Sequence, residues 1–568
     1  MVSDFQNYQA CLVLSNVLYK QFAMISYFFG DFSRLLRVML TVKKYRRLIM
    51  AVRQKVVKLK SCFLDGIVAT VADIEISLTP GIPTFEIIGL CDSAIRESRG
   101  RITAAVRSCG FLLPKGHIVV NISPAYMHKS GSGFDFPIAL GILFLADAIP
   151  YVEDRVVYAQ GELALDGQVK GTPGSILRIS TIRNNNYDVV LIPEDETYAA
   201  QCNFLSCMTV KTLSDAIDIF NGYGYQPHDF EDCYETDYDC WYYQGISLAS
   251  LKGQNKASEA LTISCAGRHS LLLMGSPGCG KSMVADILPR LLPDMNYDEK
   301  MSSLMLGELA GINSRVIDVK RPIRRITSNC TVSKLNGKAG SIVPGELALA
   351  NNGVLFADEI CEFDPRVIDE LKYPLEEHNV LIIKDGEVFK FPASFQFIAT
   401  GNPCRCGMYY EPGNKCRCTP SVRKRYLSRL SGGFVDRIDL FTEMRSIGSE
   451  DIKDMVRDCN EEEEYKIDYE ARSKIENAWK MQRRRYDWGY KDKAFNGTVE
   501  SVDKDLFKFT NEVSDYAAEA AKITGMSGRG FLKLLRVGRT IADMEKSEDL
   551  KIEHIKHALL FRVNTNVI

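Results

Sequence analysis

The sequence predicts an α/β protein: a parallel, phosphate-binding sheet at its centre, a mixed α/β unit before it, and helices after it. Three observations carry that prediction. A complete glycine-rich phosphate loop, Gly275-Ser276-Pro277-Gly278-Cys279-Gly280-Lys281-Ser282, follows the apolar run 271–274 and precedes helix-like text at 283–288. Strand-like runs at 353–357 and 395–400 are separated by longer helical stretches, the alternation that yields a parallel sheet with helices on both faces. From about residue 449 apolar residues recur at helical spacing, as in 514–522 and 531–544.

The bulk numbers are compatible with that layout. A chain of 568 residues with 46% hydrophobic content can form roughly three or four domains, each with an ordinary core. Its 70 basic and 72 acidic residues nearly cancel, leaving a formal charge of -2, so any nucleic-acid surface must be local. Seventeen cysteines are many, but several, such as Cys265, sit in apolar runs where a free thiol behaves as a small hydrophobe. No secretory leader is evident, which points to reduced thiols and a cytoplasmic location. The most membrane-like stretch, 10–30, is interrupted by Asn16, Lys20 and Gln21, so no membrane span is expected.

Taken in order, residues 1–54 match no later pattern and are expected to be a poorly ordered extension. A mixed α/β domain is placed at 55–221, with strand-like text at 67–77, 117–122 and 189–193, helical text at 93–108, and a glycine-rich loop at 130–133. The acidic, tyrosine-rich segment 222–247 reads as a solvated linker. The central α/β core is assigned to 248–447, and the helical lid to 448–568.

The chemistry concentrates in the core. Glycines let backbone N–H groups surround phosphates at a helix N-terminus, Lys281 is suited to neutralise the outer phosphates, and the Ser282 hydroxyl to ligate Mg²⁺. An apolar strand ending in Asp358-Glu359 supplies a carboxylate to hold the metal, Asp358, and one to polarise water, Glu359. Asn402 follows the next strand and is the candidate sensor of the outer phosphate, although an Asn before Pro403 is also a common turn former. Arg437, a lone cation in apolar text, suits presentation to a neighbouring subunit's nucleotide; an ion pair within the subunit is the alternative.

Cys404, Cys406, Cys416 and Cys418 could hold structural Zn²⁺ tetrahedrally, but a reduced, metal-free loop is equally compatible with the tight spacing. The basic runs Arg423-Lys424-Arg425 and Arg483-Arg484-Arg485-Tyr486 could meet DNA phosphates, or could be solvated helix faces or intersubunit pairs.

Together these elements resemble the Mg-chelatase-like AAA+ ATPases of the ComM/YifB group from about residue 64 to 562. In the first domain the likeness rests on Phe85-Glu86-Ile87-Ile88-Gly89-Leu90, Glu97-Ser98-Arg99, Asn121-Ile122-Ser123-Pro124-Ala125 and Phe134-Asp135-Phe136-Pro137. In the core it rests on Lys252-Gly253-Gln254, the phosphate loop, Pro344-Gly345-Glu346, Asn402-Pro403-Cys404-Arg405-Cys406-Gly407 and Asp436-Arg437-Ile438-Asp439. In the tail it rests on Arg539-Thr540-Ile541-Ala542-Asp543.

The resemblance implies an AAA+ P-loop core with a C-terminal helical lid. It implies a first domain of the Lon-protease-like type, also called ribosomal S5 domain 2-like. It further implies ATP and Mg²⁺ as cofactors, Asn402 as sensor 1, Arg437 as arginine finger, Arg529 as the lid's sensor 2, and a homo-oligomeric ring, expected to be a hexamer. ComM-like proteins are associated with branch migration during DNA integration, so DNA is the expected partner; the alternative is an ATP-driven protein remodeller of the chelatase type.

Asp135 stands where a Lon-type protease would have its serine, and Arg178 near its lysine, so no peptidase activity is expected. Two features depart from the group. Arg321-Pro322-Ile323-Arg324 continues as Arg325-Ile326-Thr327 without the usual histidine pair, and the first 50 or so residues look like an added segment or an upstream start.

Overall fold

The computed structural model describes residues 55–562, apart from 90–91, 128, 130, 184, 224–226, 229–244, 313–319, 385, 412, 414, 447–460, 487–494 and 500–501. The expected extension and most of the expected acidic linker lie outside the described residues.

The first unit is built on a seven-stranded mixed sheet of order β3-β4-β2-β1-β5-β8-β9. Its strands are β1 (Lys55–Asp65), β2 (Val68–Thr79), β3 (Thr84–Ile88), β4 (His117–Ser123), β5 (Val157–Ala159), β8 (Val189–Pro193) and β9 (Met208–Val210), with β6 (Glu162–Leu163) and β7 (Val169–Lys170) as a small separate hairpin. Strands β1 and β2 pair along their full length because Gly66 takes φ +62° in the turn between them.

The helix Asp135–Leu145 is buried on every side, as its almost wholly apolar sequence requires. It lies close against β1 and β2: a Cβ on Gly141 would sit 2.3 Å from Ile76 and 2.8 Å from Leu59. The helix Ser93–Ser108 starts where Asp92 accepts the Ile95 N–H, and it turns Ile95, Ile102, Ala105 and Val106 into the same core.

The second unit is a five-stranded sheet in which every neighbouring pair is parallel, with order β11-β14-β17-β10-β18. These strands are β10 (Leu271–Gly275), β11 (Ile323–Ile326), β14 (Val354–Ala357), β17 (Gln396–Gly401) and β18 (Leu440–Met444). Burial on both faces explains why they read as unbroken apolar runs. Alternate side chains feed two cores: Leu271, Leu273, Val354 and Phe356 on one face, Leu272, Met274, Leu355 and Ala357 on the other. Two further hairpins, β12 (Gly337–Lys338) with β13 (Val343–Pro344) and β15 (Asn379–Lys384) with β16 (Glu387–Pro392), are separate from this sheet.

The C-terminal helices Glu461–Arg485, Asn511–Ile523, Gly528–Met544 and Ile552–Leu559 share the first of those cores. Trp479 donates from Nε1 to the Cys265 carbonyl at 3.0 Å, fixing the long helix to the core helix Asn255–Gly267. Arg539, fully buried, donates to the carbonyls of Phe507, Ser547 and Glu548 and pairs with Asp543. The Arg539-to-Asp543 segment is therefore scaffold.

One of the contacts between the two units is a buried carboxylate. Glu308, from the core helix Tyr297–Leu309, accepts the N–H groups of Ser175 (2.7 Å) and Ile176 (3.1 Å), the Ser175 hydroxyl, and the Tyr198 hydroxyl (2.9 Å). It thereby caps the helix Ser175–Ile182, whose own N-cap is Gly174. A cavity of ≈ 610 Å³ lies beside this contact, lined by Thr172, Glu196, Lys300, Arg321 and Arg324 among others.

Among the described residues no helix is long and apolar enough to cross a membrane, and the interrupted stretch at 10–30 lies outside them.

Candidate nucleotide site

Because β10, β14 and β17 are parallel neighbours, their C-terminal ends open on one edge of the sheet, where open α/β sheets bind ligands. That edge gathers the phosphate loop after β10, Asp358-Glu359 after β14, and Asn402, half-buried, one residue past β17. Gly278 and Gly280 adopt φ +79° and +91°, left-handed conformations that only glycine takes at no cost, and a Cβ on Gly278 would meet nothing within 4 Å. The loop is an open cradle.

Lys281, buried, donates to the carbonyls of Gly275 (2.8 Å) and Ser276 (2.7 Å). Burial lowers its pKa, which the nearby Cys279, Asp358 and Glu359 partly offset. The Ser282 hydroxyl donates to Asp358 Oδ2 at 2.9 Å, so two oxygen ligands suited to a hard divalent cation already lie together.

One member of this site is absent from the sequence prediction. Thr400 donates to Asp358 Oδ1 at 2.6 Å and accepts the Glu359 N–H at 3.1 Å. It fixes both acidic residues to the adjacent strand while Glu359, at φ +57°, turns its side chain out to solvent. A threonine near a strand end carries no signal of its own; only the β14–β17 register places it.

Arg437 and Arg529 lie elsewhere. The Arg437 carbonyl accepts the Ser270 hydroxyl at 2.9 Å, just before β10 begins, which puts Arg437 at the opposite edge of the sheet from the phosphate loop. The five residues of β10 span about 16 Å at the usual strand rise. Arg437 donates to Glu376 Oε2 at 2.7 Å and Arg529 to Glu376 Oε1 at 2.8 Å, so a single carboxylate holds both guanidinium groups. Lid and core are also joined there by Ser527 to Asp436 (3.0 Å) and by Lys533 to Asp439 (2.9 Å). Burial disfavours the Asp439 charge, but Lys533 and His269 outweigh it and hold that carboxyl well below the usual range.

The four core-loop cysteines are brought together, their Sγ atoms all within 4.8 Å of one another. Each described cysteine is a free thiol. The two basic runs behave differently. Lys424 and Arg425 are exposed on the helix Pro420–Leu427, whereas Arg485 is turned inward to Asp543 (2.5 and 2.7 Å) and the Tyr486 hydroxyl to Asn496 (2.7 Å). Half of the second run is an internal ion pair rather than a phosphate-facing surface.

In the first domain, Asp135 pairs with Arg101 (2.5 and 3.1 Å), while Arg178 bonds Thr172 and Glu196. The two residues at the expected protease positions thus belong to separate ion pairs. Burial raises Glu196 to about 7 against the pull of Arg178. Where the histidine pair of the related group is missing, Arg324 pairs with Glu346 (2.7 Å) and Arg325 with Asp286.

This fold and this edge define a P-loop core of the AAA+ class. The family model described as magnesium chelatase, subunit ChlI, matches residues 247–452. The model for subunit ChlI of Mg-chelatase matches 74–196, and that for the ChlI C-terminal region matches 468–562. The competence protein ComM of Haemophilus influenzae is 31% identical over 508 residues, covering 89% of this chain and 96% of its own length. The uncharacterized protein YifB of Escherichia coli is 29% identical over 88% of this chain and 95% of its own. The magnesium-chelatase 38 kDa subunit of Cereibacter sphaeroides is 24% identical over 54% of this chain and 88% of its own. The chain belongs to the Mg-chelatase-like AAA+ family that includes ComM and YifB.

Proposed function

We propose that this protein binds and hydrolyses ATP at interfaces between its own copies in a ring, expected to be hexameric, and that the ring remodels DNA. The observation that carries the reading is the polarity of the core: phosphate loop, Asp358 and Glu359 on one sheet edge, Arg437 and Arg529 together on the other. A subunit built this way offers its arginines to the next subunit's nucleotide, a head-to-tail interface that closes as a ring.

Within each interface the residues divide the work. The cradle 275–282 aims backbone N–H groups at the phosphates, and Lys281 neutralises outer-phosphate charge. Ser282 and Asp358 would hold Mg²⁺, which would supply charge neutralisation for the transferred group. Glu359 orients the attacking water, Asn402 positions it against the outer phosphate, and the neighbouring copy's Arg437 and Arg529 stabilise the transition state. In the first domain Asp135 and Arg178, the residues at the expected serine and lysine positions, are paired with Arg101 and Glu196, which supports a structural rather than a peptidase role.

The DNA reading rests on the likeness to a competence protein and on the exposed Lys424 and Arg425. It is tested by steady-state ATP hydrolysis alone and with single strands, duplex and a four-way junction, using Glu359→Gln as the blank. Stimulation by junctions or single strands that is lost at high salt is expected. Turnover indifferent to every nucleic acid would replace DNA with a protein partner of the chelatase kind; normal turnover by Glu359→Gln would overturn its assigned role.

A further inference from the structure

The segment 402–419 leads from β17 to the helix Pro420–Leu427, and none of its described residues belongs to a helix or strand. Irregular segments of that length are uncommon in compact domains unless something besides backbone pairing organises them. Here the cysteines are the organising feature. Cys404 and Cys406 Sγ are 3.3 Å apart, and Cys416 Sγ lies 3.7 Å from each of them. With Cys418 included, all four sulfurs lie within 4.8 Å of one another. A tetrahedral Zn²⁺ with Zn–S bonds of about 2.3 Å sets its sulfurs about 3.8 Å apart, close to this arrangement. A disulfide would bring two of them to about 2.05 Å, far shorter than any of these separations. Backbone N–H groups of Met408 and Arg417 point at the Cys406 sulfur, as outer partners do around thiolate ligands.

The same segment bears on the phosphate loop. Gly407, at φ +77°, comes so close that a Cβ there would sit 2.5 Å from Pro277 Cδ. Glu411 accepts the Ser446 N–H at 3.1 Å and the Ser446 hydroxyl. Ser446 follows β18, whose Met444 pairs with Gly275, and Cys404 is two residues past Asn402.

From this arrangement we infer that Cys404, Cys406, Cys416 and Cys418 hold one Zn²⁺, and that the metal centre clamps the phosphate loop and Asn402 in register. The site is structural: four thiolates fill the coordination shell and leave no position for water or substrate. Because it holds Gly407 against Pro277 and Glu411 against Ser446 at the end of β18, losing the metal loosens the cradle without touching any residue that meets the nucleotide. The clamp rests on the nucleotide-binding reading given above; the metal site does not.

The experiment uses the full-length protein. Elemental mass spectrometry on protein purified without added metal is expected to give one zinc per chain, and Co²⁺ exchanged into it should show thiolate-to-cobalt charge-transfer and tetrahedral d–d bands. Cys416→Ser combined with Cys418→Ser should lose both signals, Cys418→His should keep the metal through a Cys₃His set, and Cys109→Ser should change nothing. Binding of a fluorescent ATP analogue should weaken about tenfold in the double variant and recover in Cys418→His. Folded wild-type protein that contains no zinc and takes up no Co²⁺ would overturn the site. Equal nucleotide affinity with and without metal, in samples matched by circular dichroism, would overturn the clamp. Zinc-loaded wild type that binds no nucleotide would overturn the nucleotide reading and the clamp with it, while its zinc content upholds the metal site.

Discussion

Thr400 carries more of the candidate site than its residue type suggests. Its hydroxyl bonds Asp358 and the Glu359 amide at once, so the geometry of both acidic residues depends on one side chain of the neighbouring strand. Thr400→Val keeps the shape and removes both bonds. We expect kcat for ATP to fall about tenfold or more with little change in KM, and Thr400→Ser to restore it. An unchanged kcat in the valine variant would show that Asp358 and Glu359 are placed without it. At this scale the sequence was legible where chemistry is local: a phosphate loop between strand and helix, and two acids at a strand end, are defined by their immediate neighbours. It was silent on Thr400, Glu376 and Glu411, whose partners are brought to them by strand register or by elements far along the chain. It misled on Arg485 and Tyr486, which Asp543 and Asn496 turn inward.

Among the elements, the helix Ser175–Ile182 shows how the two units are held. With Gly174 as its N-cap it has no side chain to satisfy its first N–H groups, and Glu308 of the core supplies a buried carboxylate instead. Capping of this kind, with charge-assisted bonds, contributes about 2 kcal/mol. Glu308→Ala should lower stability by about that much in denaturant unfolding and expose the junction to limited proteolysis. A variant as stable and as protease-resistant as the parent would contradict the cap. Periodicity alone located the helices at 93–108, 514–522 and 531–544 and the strands at 117–122 and 189–193 to within a few residues, because each has a clear buried face or a fully buried run. It could not show that the C-terminal helices share a core with one face of the sheet, since that contact joins Trp479 to a carbonyl 214 residues away.

Across the whole molecule, the central feature is that the residues proposed as the two halves of a nucleotide site occupy opposite edges of one sheet. The phosphate loop opens with β10's C-terminal end, while Arg437, near its N-terminal end, and Arg529 of the lid share Glu376. No single copy brings these halves together. The sequence offered Arg437 and Arg529 as candidates, but their separation from the loop was not legible there, because it follows from the parallel direction of β10 and β18 and from the docking of the lid. The most direct test is to mix two inactive variants, Glu359→Gln and Arg437→Ala, and measure ATP turnover. If sites form between copies, the mixture contains interfaces with an intact Glu359 from one subunit and an intact Arg437 from the other, and an equimolar mixture should regain about a quarter of wild-type activity. Activity no greater than the sum of the two variants measured apart would contradict the account.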